Sequence, residues 1–211
     1  GVFILWFGWF GFNGGSQLAW GGADSIAASN VVLVTNLAAA AGGLGALITT
    51  WIWYGKPNLG QTLNGTLAGL VSITAGCGNM TTEGAVLTGL LGGVLVVFSI
   101  EFIEKKLKID DAVGAASVHG VAGAFGTLAI GLWGVDGDTA IGLFNGGGAS
   151  QLGVQATGVL AYAVWSITLS FIVFTILKKT MGLRVTKEIE IEGLDVHEHG
   201  SIAYPGVRQR E

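Results

Sequence analysis

The sequence predicts an all-α integral membrane protein, with six transmembrane helices over residues 1–182 and a cytoplasmic tail over 183–211. Three observations carry this. Only 11% of the 211 residues are charged, against roughly 25% in a soluble domain, while 51% are hydrophobic. Six runs lack Asp, Glu, Lys and Arg: 1–23, 25–55, 57–82, 84–100, 112–135 and 139–177. Each is near or above the ~20 residues that a membrane helix needs. Finally, the 37 glycines follow no G-X-Y period and lie among Leu, Val, Ile and Ala, which points to helices packed on small residues.

Taken in order, the first run reads LWFGWFGFNGGSQLAW, whose Gly11, Gly14 and Gly15 make its helix easy to break. The second and sixth runs exceed one span, and their excess is read as exposed loops or short lead-in segments, FNGGGASQ (144–151) among them. GGGAS is no phosphate cradle, because it follows no strand and leads to no Lys. The run 84–100 closes on Glu101 and Glu104, whose long side chains reach the interface, so it counts as a span. Glu101 and Lys105 form an i, i+4 pair, read as a solvated turn. Asp110 and Asp111 precede the fifth span as caps, and Asn30, Asn36 and Asn64 are expected to bond between helices.

Charge between the runs orients them. The first, third and fifth loops carry only Asp24, Glu83, Asp136 and Asp138, whereas all ten Lys and Arg lie in the second and fourth loops or after the sixth span. Basic residues favour the cytoplasm, which places both Gly1 and the C-terminus there. From about residue 183 the sequence turns polar, and VTKEIEIEG alternates in a way that suits an extended segment as well as a helix. The chain opens on GVFILWFGWF without Met, basic leader or cleavage pattern, so it is expected to be an internal piece of a longer protein or a processed product.

Several functions are disfavoured. Cys77 is the sole cysteine, and a net charge of −4 offers no basic stripe for nucleic acid. Asp195, His197 and His199 have no further ligand to close a metal site, no second intramembrane histidine supports haem, and no nucleophile has an adjacent base. Neither a cofactor nor a metal is therefore expected.

His119 sits near the middle of the fifth run. A membrane histidine must face protein or a wet path, so it serves either transport or packing against another helix. Its helical neighbours Ala115, Gly123 and Gly126 leave its face almost free of side-chain volume. In the first run Phe12 and Ser16 are one turn apart and share a face with Trp9 and Trp20. A ring beside a hydroxyl suits a small cation; an aromatic belt at the membrane surface is the structural alternative.

These motifs resemble the ammonium transporters of the Amt/Rh superfamily, the Amt branch in particular. GWFGFNGGS (8–16) resembles the opening of the family's sixth helix, AGLVSITAGCG (68–78) its eighth, DDAVGAASVHGVAGAFGTLAIGL (110–132) its tenth, and LRVTKEIEIEGLDVHEHGSIAY (183–204) its tail. The resemblance implies helices 6–11 of an eleven-helix transporter, a homotrimer with one narrow apolar pore per subunit. It implies transport of ammonium or ammonia, and of methylammonium, across the plasma membrane, with a PII-type signalling protein as a further partner. His119 is similar to the second of two stacked pore histidines, Phe12 to one of two gate phenylalanines, and Ser16 to a vestibule hydroxyl. The partner histidine, the second phenylalanine, a vestibule tryptophan and a buried aspartate belong to the family's first five helices, so this chain corresponds to half a pore. Gly14 and Ala112 depart from the residues common at those places and touch no pore position. The chemistry agrees with this assignment: ammonium can shed a proton and cross an apolar tube as ammonia, which potassium cannot do. An ammonium sensor on the same scaffold and a non-transporting fragment are the alternatives.

Overall fold

The computed structural model describes residues 1–136 and 140–204; Asp138, Arg208 and Arg210, used above to orient the chain, lie outside the described residues. Two compact units are present, Gly1–Ala161 and Tyr162–Glu211, and the division falls within one long helix.

Each charge-free run holds one main helix. These are α1 (Val2–Gly15), α2 (Ala23–Tyr54), α3 (Leu59–Thr74), α4 (Thr82–Glu101), α5 (Ala122–Trp133) and α6 (Ser150–Thr180). A π-turn over Phe102–Lys106 extends α4, and a second over Ala116–Val121 leads into α5. Among the described residues four helical stretches are long and apolar enough to cross a membrane: Ala23–Tyr54, Thr82–Lys106, Ala116–Trp133 and Ser150–Thr180. The fold is thus all-α, apart from a two-residue antiparallel pair, β1 (Val135–Asp136) with β2 (Ala140–Ile141).

Two boundaries correct the sequence reading. Run 25–55 contains no lead-in loop, because α2 is continuous over 32 residues. Its polar residues do not break it, since the hydroxyls of Ser29 and Thr35 donate back to the carbonyls of Ser25 and Val31 within the helix. The first run, by contrast, holds a helix of only 14 residues, which ends where Gly14 and Gly15 are followed by Leu18 at φ 62°. The stretch 144–151 is exposed loop running into the start of α6, as expected.

The core of unit 1 is the contact of α2, α3 and α4. A Cβ added to Gly42 of α2 would lie 2.3 Å from the Gly65 carbonyl oxygen of α3, and one added to Gly93 of α4 would lie 2.0 Å from the Gly42 oxygen. Ala38, Ala39, Ala46, Ala68 and Leu70 fill the remaining space and are fully buried. Close approach on small residues is what the glycine content predicted. Hydroxyls then join the helices: Trp133 Nε1 of α5 donates to Thr88 Oγ1 of α4 at 2.8 Å, and Ser99 Oγ of α4 donates to Ser117 Oγ at 2.9 Å.

Helix ends follow simple capping chemistry. Asn58 and Thr81 accept from the N–H groups of Gln61 and Gly84 to start α3 and α4. Asp111 does act as a cap, its carboxylate accepting from the N–H groups of Ala116 and Ser117. Of the three asparagines, Asn64 donates to the Val113 carbonyl at 3.1 Å, whereas Asn30 and Asn36 are exposed.

In unit 2 the segment VTKEIEIEG resolves as helix rather than strand, with Thr186 capping α7 (Lys187–Glu192), followed by α8 (Leu194–His199). The Glu188 carboxyl is held below the usual carboxylate range by hydrogen bonds from its own backbone N–H and the Thr186 hydroxyl. Arg184 pairs with Glu190.

The backbone contact at Gly93 cannot yield as a flexible side chain can. Gly93→Val should cost at least about 3 kcal/mol of stability. Gly153→Ala, where an added Cβ meets nothing within 4 Å, should leave the thermal midpoint in detergent nearly unchanged.

Candidate functional site

The end of α1 is held from behind. Trp9 Nε1 donates to Thr74 Oγ1 of α3 at 2.8 Å, and buried Asn13 donates through Nδ2 to Thr35 Oγ1 of α2 at 2.9 Å. With Trp9 and Asn13 turned inward, Phe12 is left 62% exposed, its ring edge-on to Trp9 at 5.7 Å. The Ser16 hydroxyl donates to the Phe12 carbonyl at 2.7 Å and is itself exposed. Its oxygen keeps acceptor capacity toward an incoming donor, beside an aromatic face. Phe12 and Ser16 are therefore brought together as the spacing predicts. Trp20 is not part of that helical face, because α1 ends at Gly15 and Trp20 lies in the irregular segment beyond it.

His119 is exposed, and it lies within the π-turn Ala116–Val121 that precedes α5. Among the described residues its ring makes no hydrogen bond. Behind it, Ser117 and Val118 are buried. The shared face expected for His119 and Gly126 does not exist. Gly126 is buried against the Ser72 backbone of α3, where an added Cβ would lie 2.1 Å from the Ser72 oxygen, while His119 is exposed. The π-turn inserts a residue into the helical repeat and breaks the i, i+7 relation.

Among the described residues no hydrogen bond or ring contact joins His119 to Phe12 or Ser16. Helix α3 nonetheless braces both, since Thr74 receives Trp9 and Ser72 Oγ donates to the Ala122 carbonyl at 3.2 Å, just after the His119 turn.

Sequence reasoning missed two groupings. The Glu101–Lys105 pair, 2.5 Å apart, is part of a larger cluster in which Tyr54 donates to Glu101 Oε1 at 2.6 Å and Gln61 Nε2 donates to the Tyr54 hydroxyl at 3.3 Å. Tyr54 comes from a different helix, 47 residues away in the chain, and no local pattern marks it. The second is the π-turn itself, which leaves no signature in composition or periodicity. In the tail, Asp195 accepts from the Ala203 N–H and His197 pairs with Glu192 at 2.9 Å, so two of the three residues considered for a metal have other partners.

The profile of the Ammonium Transporter Family matches residues 1–204. The chain is 40% identical to ammonium transporter Amt2 of Archaeoglobus fulgidus, over 97% of its own length and 44% of that protein's. It is also 40% identical to ammonium transporter Amt1 of Haloferax mediterranei, over 97% of its own length and 40% of the relative's. It spans less than half the length of these relatives. Among solved structures, one described as a sensor Amt protein superposes with a TM-score of 0.85 at 43% identity, covering 94% of this chain and 47% of the other. Saccharomyces cerevisiae Mep2 superposes with a TM-score of 0.79 at 30% identity, covering 89% and 43%. With a family match reaching from the first helix into the tail, the chain belongs to the ammonium transporter family.

Proposed function

We propose that this chain contributes the half of an ammonium-conducting pore that carries its mid-membrane histidine, His119, and its outer capture end, Phe12 and Ser16. The observation that carries the reading is His119 itself, an exposed imidazole within an apolar helical stretch of an ammonium transporter family member. Lipid does not solvate an imidazole, and a hydrogen-bonding group midway lets ammonium cross as ammonia while potassium, which has no proton to give up, is refused. Phe12 and Ser16 meet the cation first, through the ring face and the hydroxyl oxygen.

All six helices span the membrane in this reading. α1 and α3, with 14 and 16 residues, reach about 21 and 24 Å, short of the ~30 Å hydrocarbon core. They are completed by the flanking uncharged residues of their runs. An even number of spans puts residue 1 and the tail on one side, and the Lys and Arg of the second and fourth loops and of the tail make that side the cytoplasm of a plasma-membrane protein that assembles as a homotrimer. The tail from residue 183 lies on the cytoplasmic face, where it touches a neighbouring subunit or a PII-type signalling protein. A sensor is the second reading, favoured by the likeness to the sensor Amt structure. A signalling domain fused after residue 211 would favour it.

Each role has its own test in the protein expressed from its complete gene. His119→Ala and His119→Asp should change ammonium flux or its discrimination against potassium in reconstituted vesicles; wild-type flux and selectivity in a folded variant would contradict the role. Ser16→Ala should raise the half-saturating methylammonium concentration about fivefold, the equivalent of ~1 kcal/mol. Phe12→Ala should act on maximal flux or leakiness. Wild-type transport in both would return these residues to the aromatic belt. Deleting 183–211 should alter transport regulation while the membrane core stays assembled, and unaltered regulation would count against the tail's role.

A further inference from the structure

The π-turn beneath His119 is fastened on three sides. Upstream, Gly114 at φ +69° packs so closely that an added Cβ would lie 2.8 Å from Asn64 Nδ2, while Asn64 holds the Val113 carbonyl. The Asp111 carboxylate takes the N–H groups of Ala116 and Ser117. In the middle, Ser117 accepts a hydrogen bond from Ser99 of α4, with 0% and 8% exposure respectively. Downstream, the Ala122 N–H closes the wide turn on the Ser117 carbonyl, and the Ala122 carbonyl is held by Ser72 of α3.

We propose that this clamped π-turn sets the direction of the His119 ring, with Ser99 and Ser117 as its positioning residues. The inference rests on the reading of His119 given above. In an unbroken α-helix, residues seven apart face the same way, since seven steps of about 100° nearly complete two turns. His119 would then share the direction of Gly126, into the backbone of Ser72 on α3. The extra residue in the turn rotates the imidazole out of that contact, while Ser117 and Val118 stay buried against the bundle. A π-turn relaxes to an α-helix unless its surroundings hold it, and the Ser99–Ser117 bond is the buried side-chain contact at its centre. Both hydroxyls act on transport through His119 rather than on the substrate.

Serine variants test this in the protein expressed from its complete gene, reconstituted in vesicles. Ser99→Ala, Ser117→Ala and the double variant should each lower maximal methylammonium flux about threefold or more. Their half-saturating concentration should stay unchanged, because the capture end at Phe12 and Ser16 is untouched. The double variant should be no worse than either single one, as expected when one shared bond is lost.

Wild-type maximal flux, a shifted half-saturating concentration or additive losses in the serine variants would overturn the proposal. His119→Ala separates the two readings: if it is without effect, the role of His119 fails and the positioning role with it. If it alters transport while the serine variants do not, only the positioning role fails.

Discussion

The contact of α2, α3 and α4 along their glycines is the constraint on which the rest of unit 1 depends. In a bilayer the hydrophobic effect does not press helices together, so association relies on van der Waals contact and interhelical hydrogen bonds. Gly42 serves both partners, since the Gly65 oxygen of α3 and the backbone of α4 at Gly93 close on it within distances that no side chain could occupy. With the helix axes this close, short hydroxyl side chains become long enough to bridge between elements. Ser72, Thr74, Thr88 and Ser99 therefore make the interhelical links, where a looser bundle would need longer polar residues.

Those links decide which faces remain available for chemistry. Thr74 and Thr35 turn Trp9 and Asn13 inward, and the same rotation of α1 presents Phe12 and Ser16 outward. Ser72 and Ser99 hold the segment around Ala116–Val121 by its buried side and leave His119 on the other. Helix α3 thus connects the Phe12–Ser16 end of α1 with the turn that carries His119, which no hydrogen bond or ring contact joins among the described residues, and a change in its position would be felt at both.

The legibility of the molecule in its sequence varies with the range of the interaction concerned. Charge-free runs mark each of the six main helices, because the cost of desolvating a charge acts on every residue of a span independently of its neighbours. Capping by Asp111 was legible for the same local reason. The true ends of α1 and the continuity of α2 were not. Gly, Ser and Asn are ambiguous between loop and helix until tertiary contacts favour one, and hydroxyl bonds to the preceding turn kept Ser29 and Thr35 helical. Tyr54 joining Glu101 across 47 residues was likewise beyond any local pattern.

By itself, the sequence determined the class of solvent, the number and place of the helical segments and the family motifs, and it singled out His119, Phe12 and Ser16 as candidates. These come from composition and spacing, which need no knowledge of the packing partners. The tertiary structure alone decided direction. Helical periodicity assigns His119 and Gly126 to one face, yet the buried bonds at Ser99 and Ser72, with the Asp111 cap, hold a wider turn there. One inserted residue rotates the remainder of the helix by about 100°, and only long-range contacts can favour that insertion.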